Sequence, residues 1–435
     1  MATAANRELA ERWSNDIRAV TAPDGPEWLV QLREKAADAF TENGLPHRKV
    51  EAWKYTPLKR LEAKSPRAGA IAAAQNPVVF STNILPGAQL SIDIVDGVLP
   101  ESLPATPPGV AVLPFSAALA EYEDRIRALV ESLDVSGAAQ AFTALNTAFV
   151  DRGLVVHVAA GVEAGPLLLR WAAGHSGDAQ LAPFRLIVLL DEGARLELVE
   201  QHAGGSTDSG ALNLVLQADL AAKANLDHVR VQDEPDEAIL LTCSSVQQSA
   251  NSHYAYTGFD LGGGLVRHEL NVALAGSDAT TRLAGACVLD GKRHGDTRVN
   301  VDHAAPDCSS EQFFRGVLGG SSRGVFNGRA MIHKGADGSS VQQSNANLLL
   351  SRLAEMDTKP ELEIYADEVE ASHGATIGQL DETAVFYLRS RGLSEAEARH
   401  LLTAAFCHAV TGRLENRELA ENVTPMIDAA MPEAT

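Results

Sequence analysis

The 435-residue sequence is poor in aromatic side chains, which make up 5% of it, and it has no long hydrophobic run. Its strongest apolar run, Leu186–Leu190, is far shorter than the roughly 20 residues that a membrane-spanning helix needs. The first residues, Met1–Ser14, lack the continuous apolar segment of a signal peptide. We therefore expect a cytoplasmic chain without membrane contact. Few aromatics and frequent glycine favour a thin β core.

Clusters of positive charge are also missing. Lys and Arg number 36 against 57 Asp and Glu, which gives a formal net charge of −21. Nucleic acids and anionic membranes are bound through grouped Lys and Arg side chains, and the sequence contains no basic run. We therefore expect neither as a partner.

Paired cysteines and a nucleotide-binding loop are missing as well. The four cysteines are Cys243, Cys287, Cys308 and Cys407, and no two form a C-x-x-C pair, which argues against a zinc site or a ferredoxin-type cluster. The glycine-rich stretch "LGGSSRGVFNG" lacks the Lys-Ser/Thr of a P-loop. We expect no tightly bound cofactor, no ATP binding by the chain itself and no enzymatic activity.

The first 150 residues form a mixed, mostly helical region. Apolar residues recur at helical spacing around Glu27–Phe40, and a second helix is predicted over Phe115–Leu133. The stretch between them is rich in Ala, Pro and Gly and predicts short strands and irregular structure.

Residues 151–377 show a different sequence pattern, that of short strands separated by turns. Turn clusters such as Gly262-Gly263-Gly264 and Asp290-Gly291 recur at roughly 12–15 residues or a multiple of that spacing, and the side chains between them alternate. Val266, His268 and Leu270, for example, share one face of a predicted strand. Both a β-sandwich and a β-helix solenoid fit this rhythm. The unbroken length favours the solenoid, because each turn buries its face against the next.

Residues 378–435 return to helical spacing. Ser394 and Glu397 form a capping box at the start of a predicted helix. Its predicted apolar stripe consists of Ala398, Leu401, Leu402, Ala405, Phe406, Ala409 and Val410. A final helix is predicted around Leu419–Met431.

Three histidine-containing segments are candidates for chemistry. The segments Arg293–Asp296 and Asp302–His303 contain acid–base pairs, but Asp302 and His303 point to opposite faces of a strand, so we interpret both segments as surface turns. His373 alternates with Ala371 and Ala375 on the apolar face of a predicted strand. Two readings stay open for it: a buried core histidine, or a ligand for iron.

Four stretches of the sequence are informative as motifs: "EAWKYTPL" at Glu51–Leu58, "GVFNGRAMIHKGA" at Gly324–Ala336, "QQSNANLLLSRLAEMDTKPELEI", and the stretch from Glu361 to Leu402. They resemble the SufB/SufD family of iron–sulfur cluster assembly proteins. Within the last stretch, "SHGAT" and "FYLRSRG" resemble the SufD branch.

The resemblance implies a mainly β protein: a right-handed parallel β-helix core with helical regions before and after it. It further implies a SufB-type paralogue bound through the β-helix and a SufC-type ABC ATPase docked on the C-terminal helices. ATP would act on the complex only through this ATPase partner. Iron or a nascent iron–sulfur cluster would be held transiently and shared with SufB, with His373 as the candidate metal ligand. Many relatives carry Cys where this chain has Ala371, so a thiolate cannot come from that position.

Two alternative functions have requirements that the sequence does not meet. A β-helix enzyme acting on polysaccharides needs aromatic platforms for sugar rings, and aromatics are scarce here. A SufB-like self-sufficient scaffold needs its own cluster ligands, and no cysteine grouping supplies them. Flavin or iron binding, the stoichiometry of the complex and homodimer formation by the free chain stay open.

Overall fold

The computed structural model describes residues 2–20, 25–69, 80, 83–173, 179–205 and 210–432. The helices of the N-terminal region are α1 Ala4–Val20, α2 Glu27–Asn43, α3 Lys59–Lys64, α4 Phe115–Ser132 and α5 Ala141–Ala148. Short strands β1 Arg67–Ala68, β2 Leu90–Val95 and β3 Val110–Pro114 lie among them. The predicted helices at Glu27 and Phe115 are therefore confirmed as α2 and α4.

A long series of strands follows. They are β4 Gly153–Val158, β5 Glu163–Ala173, β6 Gln180–Leu190, β7 Arg195–Gly205, β8 Ala211–Leu220, β9 Asn225–Asp233, β10 Ile239–Gln248, β11 His253–Asp260, β12 Leu265–Leu274, β13 Thr280–Leu289, β14 His294–His303, β15 Ser309–Leu318, β16 Arg323–Ile332, β17 Ser339–Leu349, β18 Glu355–Ile364 and β19 Val369–Gly378. The chain closes with α6 Glu382–Ser390, α7 Glu395–Thr411 and α8 Arg417–Ala430.

Successive strands of this series alternate between two sheets. The even-numbered strands β4–β18 form sheet A, and the odd-numbered strands β5–β19 form sheet B. Within each sheet every strand pairs in parallel with the strand two places later, for example His294 of β14 opposite Leu265 of β12. One strand of sheet A and the next strand of sheet B make one rung. The predicted parallel solenoid is confirmed, and the sandwich alternative is wrong.

The turns from sheet A to sheet B explain the rhythm in the sequence. In four successive rungs the residue two places before the sheet B strand has a positive φ: Lys223, Asn251, Asp278 and Asp307, at 58–61°. Asn and Asp tolerate this left-handed conformation better than most residues do. Because each rung repeats the same turn, the turn residues recur at a nearly constant interval.

Alternate residues of both sheets point into the space between them, which we call the lumen. Leu186, Leu198 and Leu214 are among the residues of its apolar core. The outer face of sheet A packs against α1, α2, α4 and α5. The outer face of sheet B packs against α7 and α8, which bury Cys407, Val410, Leu419, Val423 and Ile427 there.

The segment containing "EAWKYTPL" attaches the N-terminal region to sheet A through a buried cation. Arg267 on β12 donates to the Ala52 carbonyl oxygen at 2.9 Å, lies over the Trp53 ring at 3.8 Å and forms an ion pair with Asp296. The Thr56 hydroxyl donates to Asp296 at 2.5 Å. This motif therefore has a structural explanation in the anchoring of the N-terminal region.

The histidine segments predicted as surface turns are not turns. His294, Asp296 and His303 all lie on β14 and are buried. The first two lie under the N-terminal segment, whereas His303 points into the lumen and contacts the Ser310 hydroxyl at 2.8 Å. The prediction failed at His294 and Asp296 because a cover contributed by residues distant in sequence leaves no local pattern, and at His303 because the lumen encloses it. The opposite orientation of Asp302 and His303 is confirmed, since only His303 is buried.

The capping box at Ser394 is confirmed, with both of its hydrogen bonds present. The apolar stripe predicted for the helix after it is partly wrong. Ala398 and Val410 are buried, but Leu401, Ala405 and Ala409 are exposed, and Thr403 and Cys407 occupy the buried face instead. Cys407 packs against sheet B, and Leu401 lies on the surface.

Candidate functional site

The last rung of the solenoid, β18 and β19, differs from every rung before it. We call these two strands the terminal rung. Each pairs with one neighbour only, β16 and β17 respectively, so one edge of each strand is unpaired within the described residues. All ten residues of β19 are exposed or half-exposed. An unpaired strand edge presents free N–H and C=O groups that can pair with another chain.

His373 lies in the middle of β19 and is exposed. It pairs in register with Gln343 of β17, whose side chain is buried toward the lumen, so His373 continues an inward-facing row of residues. The predicted burial on an apolar face is not observed, because no further rung covers this face among the described residues. No hydrogen bond to His373 is present within the part of the chain described here. The imidazole is therefore accessible to a metal or a partner chain.

The row beneath His373 is polar. Gln343 and, one rung deeper, Gln312 stack below it in register. They are 6% and 1% exposed, and the Oε1 atom of each has no hydrogen-bond partner among the described residues. A buried amide oxygen without a partner is unfavourable by about 1–3 kcal/mol and is unusual in a native protein.

Exposed apolar side chains accompany the free strand edges. Ile364 and Tyr365 lie at the end of β18, and Ile377 lies on β19. Ala371 pairs in register with Val341 and offers no ligand atom. Together with the free edges, these side chains give the terminal rung the chemistry of a surface that another β-structured chain can cover.

A second exposed apolar group lies on the C-terminal helices. Phe386 and Tyr387 of α6 and Leu401 of α7 are 49–70% exposed. The two helices are joined by ion pairs, Arg399 with Glu382 at 2.8 Å and Arg389 with Glu395 at 3.3 Å. Large exposed aromatic and apolar side chains on two helices that ion pairs hold together are typical of a protein-docking surface.

The residues described here form no self-sufficient metal site. No group of three His, Cys, Asp or Glu side chains is arranged to hold a metal ion within the described residues. The four cysteines are unpaired, and burial raises the pKa of Cys243 and Cys407 to about 12. A ligand shell around His373 would therefore need donors from a second chain.

The lumen contains a buried acid–imidazole cluster that the sequence did not reveal. Glu200 accepts from His228 at 2.7 Å and contacts His202 at 3.3 Å, and the Tyr254 hydroxyl lies 3.1 Å from His228. Burial opposes the charge of Glu200, but the imidazoles hold its pKa below the usual range. The three positions share no local motif, because strand pairing alone brings Glu200 and His228 together. All three side chains are fully enclosed, so the cluster offers no surface for a substrate.

A polar groove of about 780 Å³ lies where the segment after α7 crosses sheet B. Arg195 pairs with Asp227 at 2.9 Å and with Glu415 at 3.0 Å, and Arg413 pairs with Glu311 at 2.7 Å. These carboxylates are engaged in ion pairs that connect the C-terminal region to the solenoid.

Among the described residues, no helix is long and apolar enough to cross a bilayer. The fold and the two exposed surfaces define a parallel β-solenoid protein whose last rung and C-terminal helices are open to other chains.

Residues 173–406 match the domain described as "SUF system FeS cluster assembly, SufBD core domain", and residues 11–166 match the SufBD protein N-terminal region. The chain belongs to the SufBD family of iron–sulfur cluster assembly proteins. The family resemblance of the sequence motifs is thereby confirmed.

Similar proteins are aligned along most of their length. The iron–sulfur cluster assembly protein SufD of Escherichia coli is 29% identical over 427 residues, which cover 97% of this chain and 96% of that protein. A SufBD family protein of Synechocystis is 29% identical over 405 residues, covering 89% and 87%. A SufBD family protein of Mycobacterium tuberculosis is 29% identical over 409 residues, covering 90% of each chain.

Proposed function

We propose that this chain is a SufD-type scaffold subunit that supports iron acquisition and nascent cluster assembly at its terminal rung. The proposal rests mainly on the exposed imidazole of His373, which lies between free strand edges and exposed apolar side chains. Similarity to the SufD protein of Escherichia coli over nearly the whole length supports the same role.

A SufB-type paralogue pairs with the terminal rung in this proposal. The free edges of β18 and β19 supply backbone hydrogen-bonding groups, and Ile364, Tyr365 and Ile377 supply apolar contact area. Iron or a nascent cluster is the substrate, held transiently between His373 and groups of the partner. Because the chain's thiols are buried or half-buried and Ala371 has no thiol, the partner supplies the sulfur ligands.

A SufC-type ABC ATPase docks on α6 and α7 in the same proposal, and the chain itself hydrolyses no ATP. Phe386, Tyr387 and Leu401 supply the apolar contact. Removing Ser394–Thr435 would be an ambiguous test, because α7 and α8 also cover sheet B. Replacing Phe386 and Leu401 by Glu leaves that packing in place. We expect loss of ATPase binding with an unchanged melting temperature, and unchanged binding would place the dock elsewhere.

The test of the site is the substitution His373→Ala, with His333→Ala as a matched control. His333 follows β16 and is also partly exposed. We expect His373→Ala to keep its melting temperature and its binding to the SufB-type partner, and to lose most of the cluster yield in reconstitution with iron, sulfide and both partners. His333→Ala retains the yield. A normal yield in His373→Ala, or a loss explained by unfolding, would exclude the ligand role.

A further inference from the structure

His373 and Gln343 stand side by side on adjacent strands. The Cα atoms of the two residues pair in register between β19 and β17. Parallel neighbours in register direct their side chains to the same face, and neighbouring strands are about 4.8 Å apart. An ordinary rotation of the imidazole therefore brings a ring N–H within hydrogen-bonding distance of the Gln343 amide.

The Gln343 amide is oriented with its acceptor free. Its Nε2 donates to the Gly328 carbonyl oxygen at 3.4 Å, whereas its Oε1 has no partner in the described part of the chain, and the residue is 6% exposed. Gln312, the next polar residue of the row, lies two strand spacings from His373, at about 10 Å, which is beyond direct contact. Gln343 is thus an inward-facing amide with a free acceptor next to the imidazole, whereas the Oδ1 of Asn345 already accepts from Asn347 and Thr358.

We propose that Gln343 is a positioning residue for His373: its Oε1 accepts one imidazole N–H, which selects the tautomer and presents the other ring nitrogen at the open end of the solenoid. A histidine that binds a metal typically donates its second N–H to a carbonyl or carboxylate oxygen, which orients the ring. The hydrogen bond also satisfies the buried amide oxygen. Its role toward iron rests on the proposed function of His373, but the hydrogen bond itself does not.

Two variants and one matched control separate positioning from folding. Gln343→Leu removes the acceptor and fills the same space with an apolar side chain. Gln343→Glu retains an acceptor oxygen. Gln342→Leu makes the same chemical change at the adjacent residue, whose side chain is exposed on the opposite face of β17.

The first measurement is imidazole ¹⁵N NMR of the free chain at pH 8, with the His373 signal assigned by its disappearance in His373→Ala. We expect one fixed tautomer in the native chain, in Gln343→Glu and in Gln342→Leu, and a mixture of tautomers in Gln343→Leu. A tautomer of His373 that is the same in Gln343→Leu as in the native chain would overturn the proposal.

The second measurement is cluster yield in reconstitution with the partners. We expect Gln343→Leu to lower the yield by roughly 10- to 100-fold, as is typical when a group that orients a metal ligand is lost. Its melting temperature should stay close to that of the native chain, because the buried amide is removed with its hydrogen bond and the exposed imidazole can bond to water instead. A normal yield despite mixed tautomers would overturn the positioning role, and an equal loss in Gln342→Leu would do the same. If His373→Ala retains normal yield, the proposed function fails while the tautomer result still decides whether the hydrogen bond exists.

Discussion

Ile332 and Ile364 occupy the same inward row on adjacent strands of sheet A, yet they lie in opposite environments. They pair in register between β16 and β18, and they are 0% and 42% exposed. The alternating sequence pattern is the same in both strands. What differs is the number of neighbouring rungs, because β16 is covered on both sides and β18 on one. In a solenoid, an inward-facing residue is buried by the next rung as much as by its own.

The outer face of sheet A shows the same contrast between Arg267 and Arg329. Arg267 is buried beneath the N-terminal segment and paired with Asp296. Arg329, on the part of the sheet nearer the terminal rung, pairs with Glu363 at 2.7 Å in a partly exposed position. The same sheet face therefore contains one buried ion pair, at Arg267, and one solvated ion pair, at Arg329.

The largest expected effect comes from Arg267→Met, compared with Arg329→Met. The first change leaves Asp296 buried without its cation and removes the contact with Trp53, so we expect the free energy of unfolding to fall by about 3–5 kcal/mol. Arg329→Met should change it by about 0–1 kcal/mol. Urea denaturation of both variants measures the difference. Equal losses would show that the N-terminal segment does not isolate Arg267 from water.

The next effect compares the two isoleucines. Ile332→Ala creates a cavity in the lumen and should lower the free energy of unfolding by about 2–5 kcal/mol. Ile364→Ala removes a side chain that is already partly hydrated, so its effect on the free chain should stay below about 1 kcal/mol. The same urea titration checks both variants. A large effect of Ile364→Ala in the free chain would mean that another chain already covers the terminal rung.

Buried histidines should make the folded chain sensitive to acid. Burial lowers the pKa of His303 and of His294 to about 4, whereas the ordinary histidine value in an unfolded chain is about 6.5. Between these values the unfolded state binds more protons, so stability should fall as the pH drops from about 6.5 to 4. His303→Asn should flatten the curve of melting temperature against pH in this range. An unchanged slope would show that His303 is not held neutral by its burial.

The smallest effect concerns the C-terminal helices. Ser394→Ala removes the N-cap of α7 and should lower the free energy of unfolding by about 1 kcal/mol. Ser390→Ala, at the exposed end of α6, makes the same chemical change outside a cap and should cost less than about 0.5 kcal/mol. Thermal denaturation of the two variants provides the comparison. If both variants melt alike, the capping box does not stabilise the folded chain.

The solenoid could be predicted from the sequence because its cause is local. Each rung repeats a turn with a left-handed residue, such as Asp278 or Asp307, and this repetition is visible in the sequence as a rhythm. The helix start at Ser394 is visible for the same reason, since both partners of the capping box lie within four residues.

The candidate site could be predicted only in part, because its geometry depends on residues far apart in sequence. The alternation around His373 was recognised, but its exposure depends on β19 being the last strand of its sheet. The pairing of His373 with Gln343 depends on strand register, which a single sequence does not reveal. The same limit explains the errors at His294 and Asp296, whose cover comes from residues some 240 positions earlier.

The free edges of β18 and β19 make the local stability of the terminal rung depend on the concentration of any chain that binds there. An edge strand pairs with one neighbour, so it can detach from the sheet while the inner rungs stay folded. The free energy of this local opening is therefore separate from the stability of the inner rungs. A chain that pairs with the folded edge stabilises it by an amount that grows with the logarithm of that chain's concentration, once this exceeds the dissociation constant. Protection of the β19 amides from hydrogen exchange, plotted against the concentration of the binding chain, would then give a titration curve. Its midpoint would report the affinity of that chain for the edge.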